Sequence, residues 1–302
     1  MANLNSSSFY GLGVNLTQGA PISTWVKEAG FDWMIKETNV RYNCDGELKI
    51  FPSKTALYRS DNGNALSIVS MDYKVVQPAQ VMEFFSDLVG MGEMSLTSAG
   101  VMFGGCRFFA MADTGNTAKT RSNDQIKGNL LLITSCDGTL ATNAMFVATN
   151  VRNQSTLRIA LRGDSKNRVR VTHARTFDPT DIKDKLGLID RAWEDFIGGV
   201  SELDNVKVNK RKARDFLYDL IANPKLSVED QPYTVAAKID AIMQSHTDES
   251  SAWDLVQSVC DNVDNTAGRS RVADRKLWNT WYGKEADLKE NAFIKAQETF
   301  NV

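Results

Sequence analysis

The residues of this 302-residue chain with the types and spacing to do chemistry are cations and aromatic rings rather than nucleophiles. Between Val151 and Thr176, seven cations, Arg152, Arg158, Arg162, Lys166, Arg168, Arg170 and Arg175, face the single acid Asp164. Alternate residues of a strand share a face, so Arg168, Arg170 and Thr172 would line one side. Their guanidinium groups would then stand about 6 to 7 Å apart, twice the rise per residue. That spacing suits successive phosphates of an extended single strand, which guanidinium forks hold through charge-assisted hydrogen bonds. A second cluster, Lys207, Lys210, Arg211, Lys212 and Arg214, contains no acid before Asp215. Rings adjoin cations at Tyr58-Arg59, Tyr73-Lys74 and Arg107-Phe108, and a base stacked on such a ring gains about 1 to 3 kcal/mol. Each feature also has a plainer reading: charge runs solvate a surface, and rings on a half-buried sheet are mostly core.

Other chemistries lack material. The two histidines, His173 and His246, lie far apart in sequence without an HExxH pattern, so they read as structural or surface residues. Cys44, Cys106, Cys136 and Cys260 form no CxxC pair and read as free, mostly core thiols. Gly11-Leu12-Gly13 and Gly104-Gly105 lack the spacing of a dinucleotide or phosphate loop. Gly104-Gly105 is simpler as a hairpin corner, the other reading being a place where a ligand backbone approaches. Asp32, Asp72 and Asp264 stand as isolated carboxylates that cap or solvate. No catalytic residue, metal or cofactor is therefore expected.

Composition sets the outer bounds. Thirty-five Lys and Arg against 37 Asp and Glu give a net charge of −2, which excludes histone-like, wholesale binding of nucleic acid. At 42% hydrophobic and 24% charged, the chain is an ordinary globular one, neither disordered nor a disulfide scaffold. Residues 1–10 are polar and lack the pattern of a signal peptide, and no apolar run approaches the ~18 residues of a membrane span. A cytoplasmic location in a bacterial host cell is expected.

The elements that must position these groups follow from turn chemistry and periodicity. The expected fold class is α+β, with an N-terminal antiparallel sheet carrying packed helices and a C-terminal helical domain. Residues 22–29 read as a helix ended by Gly30, and Asp45-Gly46 and Asn62-Gly63 read as tight hairpin turns. Pro78 opens a helix that puts Val81, Phe84, Phe85 and Leu88 on one face. Strands are expected over 95–103, 107–112, 129–135, 139–149, 157–161 and 168–173. Helices are expected from Asp178-Pro179 to Gly198-Gly199, then over 209–222, 234–244, 250–263 and 285–300. Net charge changes from +4 over residues 1–176 to −6 over 177–302. The domain reading is a flexible segment over 1–20, a nucleic-acid-binding α+β domain over 21–177 and a helical assembly or interaction domain over 178–302.

Several ordered segments carry a resemblance. They are Trp25 with Ala29-Gly30-Phe31-Asp32-Trp33, Tyr58-Arg59-Ser60-Asp61-Asn62-Gly63, and Met71-Asp72-Tyr73-Lys74-Val75-Val76-Gln77. Ala99-Gly100-Val101, Gly104-Gly105-Cys106-Arg107-Phe108-Phe109-Ala110 and the stretch from Asn153 to Leu161 with His173 follow. Ala252-Trp253-Asp254-Leu255, Val263-Asp264, Trp281-Tyr282-Gly283, Leu288-Lys289 and Ala292 complete the set. Together they resemble the phage/plasmid-like protein family, catalogued as a domain of unknown function. The resemblance runs from about Ile22 to Phe300 and implies a phage, prophage or plasmid setting. This chain has Asn153-Gln154-Ser155-Thr156-Leu157 where that family tends to have Cys-Gln-Asn-Thr-Leu, and Asn265 where a histidine is common. No mechanism resting on that cysteine or histidine is carried over.

The N-terminal layout also resembles, at a weaker level, the β-β-β-α core of phage single-strand annealing proteins of the RecT, Redβ and Erf kind. The expectation is an ATP-independent single-strand DNA-binding and annealing protein that forms a ring or filament of identical subunits. Arg107, Arg158, Arg168 and Arg170 would hold phosphates, and Tyr58, Tyr73 or Phe108 would support bases. Its partners would be single-stranded DNA, the annealed duplex and a phage exonuclease or single-strand-binding protein, with no membrane involved. The rival expectation is a phage-encoded adaptor or inhibitor of a host protein. A third is an enzyme assembled around Asp32, Asp72 and His173.

Overall fold

In the computed structural model, residues 13–90, 94–151, 155–159, 169–171, 189–266 and 273–302 are described. The chain opens with β1 (Val14–Asn15), α1 (Ile22–Glu28), β2 (Ile35–Cys44), β3 (Glu47–Arg59), β4 (Ala65–Ser70) and α2 (Pro78–Gly90). Then come β5 (Ser95–Met102), β6 (Arg107–Lys119), β7 (Gln125–Ser135), β8 (Thr142–Asn150), β9 (Thr156–Arg158) and β10 (Val169–Val171). Helices complete the described chain: α3 (Ile189–Asn205), α4 (Lys210–Ile221), α5 (Tyr233–Met243), α6 (Ala252–Thr266), α7 (Ala273–Trp281) and α8 (Lys284–Phe300). The fold is α+β with antiparallel pairing and a helical C-terminal region, as expected.

Turn residues fix the first part. α1 ends where Gly30 adopts φ +69° and Phe31 N–H reaches back to the Val26 carbonyl at 2.8 Å. Asp45 (φ +53°) and Gly46 (φ +88°) reverse the chain between β2 and β3 and set Cys44 opposite Glu47. α2 buries Val81, Met82, Phe84 and Phe85 completely. One sheet has the order β2-β3-β4, and the other runs β1-β5-β6-β7-β8-β10 with β9 also on β8. β6 and β7 are longer than their apolar runs predict, because the polar ends of 113–119 and 125–128 continue the ladder.

The described chain divides into two compact units. One contains Met1–Asn116, Gly128–Phe146 and Leu161–Ile189; the other contains Thr117–Lys127, Val147–Ala160 and Asp190–Val302. The domain boundary expected at Asp178-Pro179 lies outside the described residues, as do residues 1–12. In the first unit Phe31, Leu57, Phe84, Phe85, Phe108 and Phe109 are fully buried. In the second, Phe196 meets Trp253 and Phe293 at ring-centroid distances of 6.2 and 5.0 Å.

α3 does not stop at Gly198-Gly199 but runs through them to Asn205. Glycine weakens a helix interior by about 1 kcal/mol, yet a Cβ on Gly199 would lie 2.4 Å from the Gln297 side chain of α8. Gly199 therefore lies where α3 packs close against α8, next to the end of Gln297 and 3.2 Å from the Phe293 ring for a built Cβ, and does not end the helix. α8 also carries the fully buried Lys289, whose Nζ donates to Asp264 Oδ1 of α6 at 3.0 Å. None of the described helices is long and apolar enough to cross a membrane.

Candidate nucleic-acid interface

The cations singled out by sequence density fall in different environments. Arg152, Arg162, Lys166, Arg168 and Arg175 lie outside the described residues, and Arg170 is described only as backbone, opposite Asn143 in the β8–β10 ladder. Arg158 is a clamp between β9 and α8: its Nη2 lies 2.6 Å from Asp287 Oδ1 and 2.6 Å from Glu290 Oε2, with the side chain 10% exposed. A phosphate would have to displace two carboxylates to reach it. Lys207 Nζ donates to the Glu249 carbonyl, and Arg214 pairs with Asp240 at 2.9 Å. Lys210, Arg211 and Lys212 are exposed on the first turn of α4, behind the Asn209 cap. Of the described members, Arg158, Lys207 and Arg214 are thus already held by protein oxygens.

Arg59 and Arg107 build a corner of the first unit. Arg59 lies 4.0 Å over the Trp33 ring, grips Asp61 with two hydrogen bonds of 2.9 and 2.7 Å, and donates to the Gly104 carbonyl at 3.2 Å. Its hydrogen bonds and charge hold the Asp61 carboxyl below the ordinary carboxylate range. Arg107 lies 4.6 Å over Phe103, donates to Thr139 Oγ1 at 3.2 Å and stands 3.7 Å from Asp137 Oδ2. Burial alone would raise the pKa of Asp137, but hydrogen bonds from Thr139 and the Arg107 charge outweigh it and hold the carboxyl low. Gly105 sits here at φ +112°, where a Cβ would meet the Trp33 ring at 3.0 Å. Three of the short segments that carry the resemblance converge at this corner, through Trp33, Arg59 with Asp61, and Gly104 to Arg107.

Two of the expected base platforms are not open rings. Phe108 is fully buried, edge-on to Phe31 at 5.7 Å and 5.6 Å from Trp33, so it is a core residue that no base can reach. Tyr73 is half-buried, with its hydroxyl donating to the Ser135 carbonyl at 3.0 Å; burial pushes its phenol pKa upward. Lys74 beside it is exposed.

Tyr58 is placed differently, on the solvent face of the three-stranded sheet. Ile35, Leu57 and Val69 are buried, so the alternate residues face outward. Across the ladder, Lys36 stands opposite Tyr58, Thr38 opposite Ala56 and Ile68, and Lys54 opposite Ser70. Further along, Tyr42 stands opposite Lys49, and its ring meets Phe51 edge-on at 6.2 Å. Lys36, Lys49 and Lys54 thus share one face with Tyr58, Tyr42 and Phe51. From Lys36 to Tyr42, six steps of β2 cover about 20 Å, enough for a few nucleotides. The acid on this face is Glu47, 3.9 Å from Lys49 with both side chains well exposed, a screened surface pair. Neither Lys36 nor Lys54 is ion-paired among the described residues.

Apart from Tyr58, these residues were not singled out by the sequence reading. The signal was present in the turn: Asp45-Gly46 fixes the register, so Tyr42 must face Lys49 once Cys44 faces Glu47. Among the remaining candidates, Asp32 and Asp72 are exposed and Asp264 is paired with Lys289, while His173 lies outside the described residues. His246 is buried, with Nε2 2.7 Å from the Val208 carbonyl. No group of three metal-ligating side chains occurs among the described residues.

A family model described as "Domain of unknown function (DUF932)" matches residues 65–282. No curated protein and no solved structure matches the chain. The family match spans most of the chain, which therefore belongs to the DUF932 family.

Proposed function

We propose that the protein is a phage- or plasmid-encoded, ATP-independent single-strand DNA-binding and annealing protein. The observation that carries this reading is the shared face of Lys36, Lys49, Lys54, Tyr42, Phe51 and Tyr58. Ammonium groups spaced along a strand neutralise successive phosphates, and rings between them receive bases without reading their edges. Annealing needs only those two actions, with no nucleophile and no nucleotide hydrolysis. The run β2-β3-β4-α2 supports a likeness of layout to phage annealing proteins.

In this reading the phosphate contacts move from the arginine row to the lysines of the outer sheet face. Arg59, Arg107 and Arg158 shape the protein through their carboxylate partners. The exposed Lys210, Arg211 and Lys212 remain available as a separate basic patch.

A strand-annealing and gel-shift assay over a salt series, without nucleotide, tests the proposal. Binding should weaken with salt by about 0.7 log units of affinity per log unit of salt for each phosphate neutralised. Salt-insensitive or absent binding contradicts it. Recovery of one stoichiometric host protein by cross-linking, with no DNA, would favour an adaptor instead.

A further inference from the structure

The hairpin of β2 and β3 extends beyond the sheet as a two-stranded arm. β4 pairs with β3 only over Lys54–Ser70 through Tyr58–Ala65, whereas Glu47 to Ile50 pair with β2 alone. On the side away from β2, the backbone of Glu47, Leu48, Lys49 and Ile50 has no strand neighbour among the described residues. Pro52 and Ser53 (φ +112°) then interrupt the ladder, because four residues of β3 from Phe51 to Lys54 oppose Val40 alone. An open strand edge is a template for another strand. This one also carries Leu48 at 68% and Ile50 at 53% exposure on a single face.

The sequence of the open edge is complementary to itself. When two copies pair antiparallel about a two-fold axis at Leu48, Glu47 of each stands opposite Lys49 of the other and Leu48 meets Leu48. Opposite charges directly across a ladder stabilise it, and like charges destabilise it. The other edge of the arm offers no such match: between Thr38 and Cys44 it has one charge, Arg41, and no acid. We infer that the β3 edge of the arm, Glu47-Leu48-Lys49-Ile50, pairs with the same edge of a second copy of this chain in a two-fold, antiparallel strand pair.

Pairing through the edge leaves both sheet faces where they were. Directly opposite residues point the same way, so the two-fold axis is normal to the sheet. Tyr42 and Lys49 of both copies then lie on one side, and Leu48 and Ile50 bury each other on the other side. The pairing does not require the nucleic-acid reading; where that reading holds, it joins two lysine–aromatic faces into one. The contact is smaller than the roughly 1,200 Å² of a stable complex, which predicts reversible association at micromolar concentration.

Sedimentation velocity from about 1 to about 200 µM, without nucleic acid, tests the inference. The wild type should form a concentration-dependent dimer. Glu47→Lys alone and Lys49→Glu alone should each weaken dimerisation about tenfold or more, because each sets like charges across the two-fold. The double reversal Glu47→Lys/Lys49→Glu should restore it. A wild type that stays monomeric, single reversals without effect, or a double reversal that fails to restore pairing overturns the inference. All four proteins should melt at similar temperatures, since both side chains are exposed at the arm tip.

Discussion

Lys36 stands directly opposite Tyr58 across the β2–β3 ladder, on the face turned away from the buried Leu57. In the proposed function, this pair would set a charge for a phosphate beside a ring for a base. Lys54 lies on the same face near β4, and Tyr42, Lys49 and Phe51 continue it along the arm.

Tyr58→Ala should weaken single-strand binding by about 1 to 3 kcal/mol, the worth of one stacked base, while Tyr58→Phe should keep most of the affinity. Fluorescence anisotropy with a labelled oligonucleotide measures both. Equal losses for the two variants would mean that the hydroxyl matters rather than the ring.

The buried pair of Lys289 and Asp264 holds α8 to α6 in the second unit. Lys289→Met removes the ammonium beside a mostly buried carboxylate and should cost a few kcal/mol of stability, about 3 to 5 at most. Combining it with Asp264→Leu should recover much of that loss, since apolar replacement of a whole buried pair is often neutral. Urea unfolding of the single and double variants gives the comparison.

Asp61 and Asp137 predict acid sensitivity at the corner of the first unit. Both carboxyls are held below their ordinary range in the folded chain. A depressed folded pKa gives stabilisation that is full above the unfolded value, about 4, and is lost as pH falls through the folded value. Thermal melting from about pH 6 to about pH 2.5 should show a falling midpoint below about pH 4, and Asp137→Asn should flatten that fall.

Much of this architecture was legible in the sequence, for a local reason. Asp45, Gly46, Gly63 and Gly30 take left-handed backbone that these residue types accept at little cost between apolar runs, so the hairpins and the end of α1 could be read from local sequence. The end of α3 could not, because Gly199 faces α8, whose Phe293 and Gln297 are nearly one hundred residues away in sequence. Arg158 misled in the same way. Density along the chain shows that Arg158 has no acid nearby in sequence, but Asp287 and Glu290 reach it from α8. The lysine–aromatic face escaped notice because its members are spread over two strands and adjoin only through register.

The thiols should divide by depth. Burial pushes Cys136 and Cys260 up to about 12 and also raises Cys106, which like Cys44 is partly exposed. A thiol reagent at about pH 8 should label Cys44 and Cys106 in the native protein, and Cys136 and Cys260 only after denaturant is added. Mass spectrometry of the labelled peptides reports the order.

The salt dependence of single-strand binding by the variant Lys36→Gln/Lys49→Gln/Lys54→Gln tests the central claim most directly. If these lysines hold phosphates, the slope of log affinity against log salt should become shallower by about 2, at about 0.7 per lost contact. A variant whose slope and affinity match those of the wild type would place the phosphate contacts elsewhere and contradict the account.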